Sequence, residues 1–221
     1  MEIVNKFEPR WERRKDARPS ELLAAALTLF VEKGYASTRL EDVAARAGVS
    51  KGTLYLYFDN KQALFKAVVQ EGIVPVIDEG EALVRDYRGP AAELVRIIAR
   101  RWWETVGGTH LAGVIKLMMS EAQNFPEVAQ FHFEQVVQRG KRIFAAAVEL
   151  GIRQGEFRPL PVDHCVRVLL APLMMAAIWR YSLGVCETEP LDADSYIATY
   201  LDMAIAGLST GQPRIVQLGA A

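Results

Sequence analysis

Cysteine, histidine and long apolar runs are all scarce in this chain, and each scarcity removes a class of function. The two cysteines, Cys165 and Cys186, form no CxxC pair. They predict buried thiols in a reducing cytoplasm rather than a disulfide framework or a zinc ribbon. His110, His132 and His164 each lack a Glu three residues earlier, so a di-iron bundle of the Glu-x-x-His type has no support. A Gly-rich phosphate loop and a GxSxG elbow are missing as well, which leaves an enzyme reading without a motif and predicts no metal or other cofactor. No apolar run approaches the roughly 20 residues that span a bilayer, so no membrane partner is expected. The charged start, MEIVNKFEPRWERRKDARPS, has no apolar stretch of the kind a signal peptide carries.

Strong net charge is also absent, since the 221 residues sum to −1. The distribution is uneven, however. Residues 1–66 hold 12 Lys or Arg against 9 Asp or Glu, and the remainder hold 14 against 18. A mildly basic head on an acidic body suits a protein whose nucleic-acid contacts lie at one end.

What is present is helical periodicity, nearly from end to end and punctuated by Gly, Pro and capping residues, with no useful strand pattern. The fold class expected is all-α. A first helix should cover about 20–33 and stop at Gly34, with Leu23, Ala26, Leu27, Phe30 and Val31 on one face. A second should run over about 38–47, a short third over about 51–57, and a fourth from Asn60 towards about 86. Beyond it, Pro90 opens a helix ending at Gly107-Gly108 and another covers about 109–123. Pro126 opens a long one reaching Gly151 or Gly155, and two more span about 162–183 and 193–208.

The first three helices carry a particular pattern. Thr38-Arg39-Leu40-Glu41 is a capping-box sequence, in which the Thr38 hydroxyl accepts from the Glu41 amide. Leu40, Val43, Ala44 and Ala47 then form one apolar stripe. Gly48 suits the left-handed position after the helix, Val49 plugs the turn and Ser50 caps the next helix. Two short helices joined by such a turn make a helix-turn-helix. On its second helix Leu54 and Phe58 face inward, leaving Lys51, Gly52, Thr53, Tyr55 and Tyr57 outward in one small area. Gly52 costs roughly 1 kcal/mol relative to Ala inside a helix, a cost tolerated where another backbone must come close. The tyrosine hydroxyls and the Lys61 cation suit phosphate oxygens.

The stretch STRLEDVAARAGVSKGTLYLYFDNKQALF resembles the DNA-binding domain of the tetracycline-repressor (TetR) family. It matches in order: a capped second helix, V-A-x-x-A-G-V-S, G-T-L-Y-x-Y-F, and a Lys three residues after the Phe. The resemblance implies phosphate contacts from Thr38, Tyr55, Tyr57 and Lys61, and base or near-base contacts from Arg39, Lys51, Gly52 and Thr53. It implies an N-terminal three-helix helix-turn-helix domain followed by a larger helical ligand-binding and dimerisation domain. The partners implied are double-stranded operator DNA, a second copy of the chain and a small effector. Residues 1–18 then read as a flexible basic arm carrying Arg10, Arg13, Arg14, Lys15 and Arg18, suited either to a minor groove or to solvent. The divisions expected are 19–66 for DNA binding, 67–209 for effector binding and dimerisation, and 210–221 as a tail. The segment EAQNFPEVAQFHFEQVVQRG is similar to one recurrent subgroup of the family's larger domains.

Two features of that larger region are physically readable. The last two helices carry apolar residues on more than one face: Val166, Leu169, Leu170, Leu173, Met174, Ala177, Ile178 and Tyr181, then Tyr196, Ile197, Tyr200, Leu201, Ala204, Ile205 and Leu208. A homodimer through about 162–208, forming an intermolecular four-helix bundle, would cover them, and Leu170→Glu or Leu201→Glu would then yield monomers. Trp102, Trp103, Met118, Met119, Phe125, Met174, Met175 and Trp179 suit the lining of a cavity for a largely apolar effector, or plain core packing. The fourth helix is the expected mechanical link between that cavity and DNA. The rival reading is a helical-bundle protein or enzyme with a vestigial helix-turn-helix that acts through protein contacts.

Overall fold

The computed structural model describes residues 18–189 and 191–211. The basic arm and the terminal tail, apart from their innermost residues, lie outside the described residues. Every long element among these is a helix, and the sole β feature among them is an isolated antiparallel bridge between Phe157 and Ser209.

Helix α1 (Arg18–Lys33) buries Leu22, Ala26, Leu29 and Phe30, while Leu23 and Leu27 are only half-buried. The expected stripe was thus rotated by about one residue, because LLAAALTLFV is apolar almost all round and only its neighbours choose a face. It is followed by α2 (Leu40–Arg46), α3 (Lys51–Tyr55) and α4 (Lys61–Gly72). Gly34 and Gly48 end α1 and α2 with φ of 84° and 68°, in the left-handed region that favours glycine. Rings of Phe30, Tyr35 and Phe65 meet at 5.5–5.7 Å between centroids and knit α1, the following loop and α4 together.

The fourth helix does not continue to 86. It stops at Gly72 and α5 (Val74–Asp86) starts after Ile73. Pro75 has no N–H to donate to the carbonyl one turn back, and its ring crowds that turn. Then come α6 (Ala91–Trp102), α7 (Ala112–Glu121), α8 (Pro126–His132), α9 (Gln138–Gln154), α10 (Val162–Arg180) and α11 (Ala193–Leu208). Wider π-helical turns follow α6 at Trp103–Gly107 and α8 at Phe133–Val137.

Central α9 packs on α5, α6 and α10, and α10 packs in turn on α7 and α11. Arg139, at the start of α9, clamps α5 through Glu81 at 2.7–2.9 Å and Asp78 at 2.5 Å. The N-terminal helices join this body where α7 and α8 meet α1 and α4. There Gly113 lets α7 close on α1, since a Cβ at this position would sit 2.3 Å from Val31 Cγ2.

Two expectations about α10 and α11 are corrected. By length and composition, α10 is apolar enough to cross a membrane, with mean hydropathy 1.5 and a third of that stretch buried within the chain. Leu201, expected in the middle of an intermolecular seam, is buried inside its own chain, as are Val166, Leu169, Leu173, Ala177, Ile197, Tyr200, Ile205 and Leu208. The Tyr200 hydroxyl even donates to the Leu169 carbonyl, tying α11 to α10. The apolar surface left over is a different stripe: Val168, Ala171 and Met175 on α10, with Met203, Ala206 and Gly207 on α11. Cys165 is buried as expected, but Cys186 is exposed.

Candidate nucleic-acid interface and effector cavities

The turn between α2 and α3 is built by local hydrogen bonds. Val49 N–H donates back to the Ala44 carbonyl at 3.0 Å and Gly48 N–H to Ala45 at 3.1 Å, reversing the chain. Ser50 Oγ then accepts from Thr53 N–H at 3.1 Å, capping α3 as its residue type requires. Leu54 and Phe58 are buried beneath, and Lys51, Gly52, Tyr55, Leu56 and Tyr57 are exposed above. Thr53 is half-buried, its hydroxyl 2.9 Å from Ser50 Oγ. Arg39, the residue before α2, is exposed as well.

Three polar residues take roles the sequence did not disclose. Thr38 forms no capping box. Its hydroxyl is buried and donates to the carbonyls of Gly34 at 2.7 Å and Leu29 at 3.1 Å, closing the frayed end of α1. Leu29 lies within α1 and Gly34 just past its end, and Thr38 reaches both carbonyls from the loop. Glu41, freed from the box, pairs with Lys51 across the two helices. The pairing holds the Lys51 ammonium above its usual pKa and the Glu41 carboxyl below its own. Lys51 also lies 5.6 Å from the centre of the Tyr55 ring.

Lys61 is turned inward. Its ammonium donates to the carbonyls of Tyr35 at 2.7 Å, Ala36 at 3.0 Å and Thr38 at 3.1 Å, and stands 4.6 Å from the centre of the Tyr35 ring. Burial pulls its pKa down. An ammonium has three protons, and all three are taken. The Thr38 hydroxyl and the Lys61 ammonium, both expected at phosphates, here fasten the loop between α1 and α2. Sequence spacing could not find this, because four of the five partners lie 9 to 26 residues away.

The eight aromatic and Met positions expected at one cavity are dispersed. Trp102 lines a cleft of about 350 Å³ between α5, α6 and α9. Trp103 and Trp179 line another, of about 470 Å³, beyond the end of α10. Met118, Met119 and Met174 share a third, of about 620 Å³, between α7, α8, its π turn and α10. Phe125 belongs to the joint with the N-terminal helices, its ring 4.7 Å from that of Tyr35. Met175 points outward among the exposed residues. Long helices distribute neighbours in sequence around different faces, so Trp102 and Trp103, or Met174 and Met175, part company.

The Met-lined cleft has a residue that sequence reasoning passed over. His132 closes α8 there, only 6% exposed, with Nδ1 buried and lacking a hydrogen-bond partner. Burial pushes its pKa down to about 4, which keeps the ring neutral near pH 7. Its sequence signal, a His between Phe131 and Phe133, is weak. Among the described residues no cluster of three His, Cys, Asp or Glu is placed to hold a metal.

Comparison with known proteins places this architecture. Residues 22–68 match bacterial regulatory proteins of the tetR family, and residues 84–194 match the tetracyclin repressor-like C-terminal domain. The HTH-type transcriptional repressor KstR2 of Mycolicibacterium smegmatis is 25% identical over 198 residues, 89% of this chain and 93% of that protein. Among solved structures, FadR from Bacillus subtilis in complex with stearoyl-CoA superposes with a TM-score of 0.70, at 20% identity, covering 86% of this chain and 98% of that one. The ketosteroid transcriptional regulator KstR2 of Mycobacterium tuberculosis gives 0.69 at 22% identity, covering 89% and 97%. A capped helix-turn-helix on a larger helical body, matched in both parts, makes this chain a member of the TetR family of transcriptional regulators, a regulator rather than an enzyme.

Proposed function

We propose that the chain is a ligand-responsive repressor that docks α3 on operator DNA as a homodimer, with residues 19–66 reading DNA and 67–209 binding an effector and the second subunit. One observation carries the DNA-reading part. Gly52 sits in the exposed face of α3 with helical backbone, and a Cβ there would meet nothing closer than Ser50 Oγ at 3.8 Å. The chain itself has no use for a glycine at this point, so the reason lies outside it, in the close approach of a duplex. Around it, Arg39, Lys51 and Thr53 are assigned to base or near-base contacts, and the hydroxyls of Tyr55 and Tyr57 to phosphates.

Selection of duplexes from random sequence, followed by a gel shift, tests this. Gly52→Ala is expected to leave the fold intact or stabilise it by up to about 1 kcal/mol, while operator affinity falls at least tenfold. Equal or tighter binding by Gly52→Ala would remove the argument.

The second subunit is assigned to the exposed stripes around Val168, Ala171 and Met175 on α10 and Met203 on α11. These supply the partnerless apolar face that an isologous dimer requires. The effector is assigned to the cleft between α7, α8 and α10, as a largely apolar molecule; the stearoyl-CoA held by the FadR structure has an apolar acyl chain joined to a charged coenzyme A part. Its walls support the assignment. Helices α7 and α8 also form the joint with the DNA-reading helices, through Gly113 against Val31, Phe125 against Tyr35, and Gln62 donating to Glu127 at 2.9 Å. Tyr35 is in turn held by Lys61. This route replaces the continuous fourth helix as the link. A ligand preferring one setting of α7 and α8 lowers operator affinity by its affinity ratio between the two settings.

A further inference from the structure

Leu56 is 83% exposed, although it lies between two tyrosines at the end of the recognition helix. Its backbone is still helical, at φ −70° and ψ −23°, and its N–H donates to the Gly52 carbonyl at 3.2 Å. At roughly 100° per residue, Leu56 points about 180° away from the midpoint of buried Leu54 and Phe58. It is therefore the apex of the exposed face rather than its edge. Helical side chains lean over the turn that precedes them, so the Leu56 isobutyl group stands on the same side of α3 as Gly52, which offers no side chain of its own. Lone exposed leucines elsewhere on a protein need no explanation. This one stands at the centre of a face otherwise made of Lys51, Thr53 and the tyrosines.

We infer that Leu56 reads sequence, by packing on the C5-methyl group of a thymine in the major groove. The inference rests on the DNA-reading proposal above and names a reader that proposal does not include. The chemistry is that of an apolar group removed from water against the one apolar feature a base edge displays in that groove. No hydrogen bond is involved, so the contact distinguishes thymine from uracil, which differs only by the methyl group.

The test is a two-by-two comparison. A duplex selected by the wild-type protein is synthesised with uracil replacing each thymine in turn, and binding is measured for wild type and Leu56→Ala. At one or two positions in each half-site, uracil is expected to weaken wild-type binding about fourfold, corresponding to ~0.8 kcal/mol for one methyl-sized group. In Leu56→Ala the same replacement is expected to have no effect, and in Leu56→Met the sensitivity returns. Leu56 makes no core contact, so all three proteins are comparable in fold. Wild-type binding indifferent to uracil at every thymine overturns the inference, as does a uracil penalty that persists in Leu56→Ala. Failure of the wild type to select any duplex overturns the DNA-reading proposal instead, and the inference falls with it.

Discussion

The helix-turn-helix and the helical body are both all-α, yet they fasten their helix ends by different means. In the first, α3 and α4 are capped from three residues away, by Ser50 on Thr53 N–H and Asn60 on Ala63 N–H. In the second, the amides that open α6, on Ala91 and Ala92, are bonded by Glu156, 65 and 64 residues further on. Helices α7, α8, α9 and α10 have no side-chain cap at all, and two helices run out into π turns. The reading head thus takes two N-terminal caps from close by, as α11 does from Asp192 on Ser195 N–H, whereas α6 takes its cap from a distant residue. Local caps fix the starts of α3 and α4 against their own backbone, whereas the cleft between α7, α8 and α10 leaves room that the proposed effector would fill.

The sharpest way to break this contrast is at α11, where own-chain contacts and the face proposed for a second chain lie two residues apart. Leu201 is 2% exposed and Met203 73% exposed. Leu201→Glu should cost about 4 kcal/mol or more and abolish cooperative thermal unfolding, because it buries an unpaired carboxylate. Met203→Glu should stay within about 0.5 kcal/mol in the folded chain yet sediment as a monomer that binds operator poorly. Two equally folded monomers would erase the distinction between the inner and outer faces of α11.

A somewhat smaller effect should come from acid. His132 has its pKa pushed from 6.5 to about 4 by burial, so the unfolded chain binds a proton that the folded chain refuses across that interval. Its share of stability is complete above about pH 6.5 and is lost as pH falls towards 4, amounting to about 3 kcal/mol. Denaturant unfolding at several pH values should show this loss in the wild type and a shallower one in His132→Leu. Identical pH profiles would mean that the ring is hydrated and the Met-lined cleft is wet around it.

The smallest effect concerns the loop between α1 and α2. Lys61→Ala should destabilise the protein by about 2 kcal/mol, leaving three carbonyls without their donor. The slope of operator affinity against salt concentration should stay unchanged. A slope reduced by about 0.9, with stability intact, would show instead that the ammonium reaches a phosphate.

The two regions were also unequally legible. For the reading head, Gly34, Gly48, Ser50 and Asn60 stand where backbone geometry needs those residue types, so their positions were readable from spacing alone. The helical endings at Gly107 and Gly155 and the starts at Pro90 and Pro126 were readable for the same reason. The Thr38–Glu41 capping box was misassigned despite lying in the legible region, and the inward turn of Lys61 was not foreseen, because their partners come from other elements. Thr38 and Glu41 satisfy a capping-box pattern, but the end of α1 and the glycine after it offered Thr38 two carbonyls, and α3 offered Glu41 a cation.

The sequence by itself determined the all-α class, the helix-turn-helix with its exposed Lys51–Tyr57 surface, and most helix starts and stops, though not the break between α4 and α5. These depend on backbone conformation and on hydrogen bonds that close within a few residues. Tertiary structure alone decided which apolar residues of α10 and α11 belong to the core and which face outward. It also decided how the Trp and Met residues divide among three clefts, and that Lys61 is a fastener. An apolar or charged side chain carries no record of its eventual neighbour; for helices apolar on several faces, the choice is made only by the other helices that arrive to cover them.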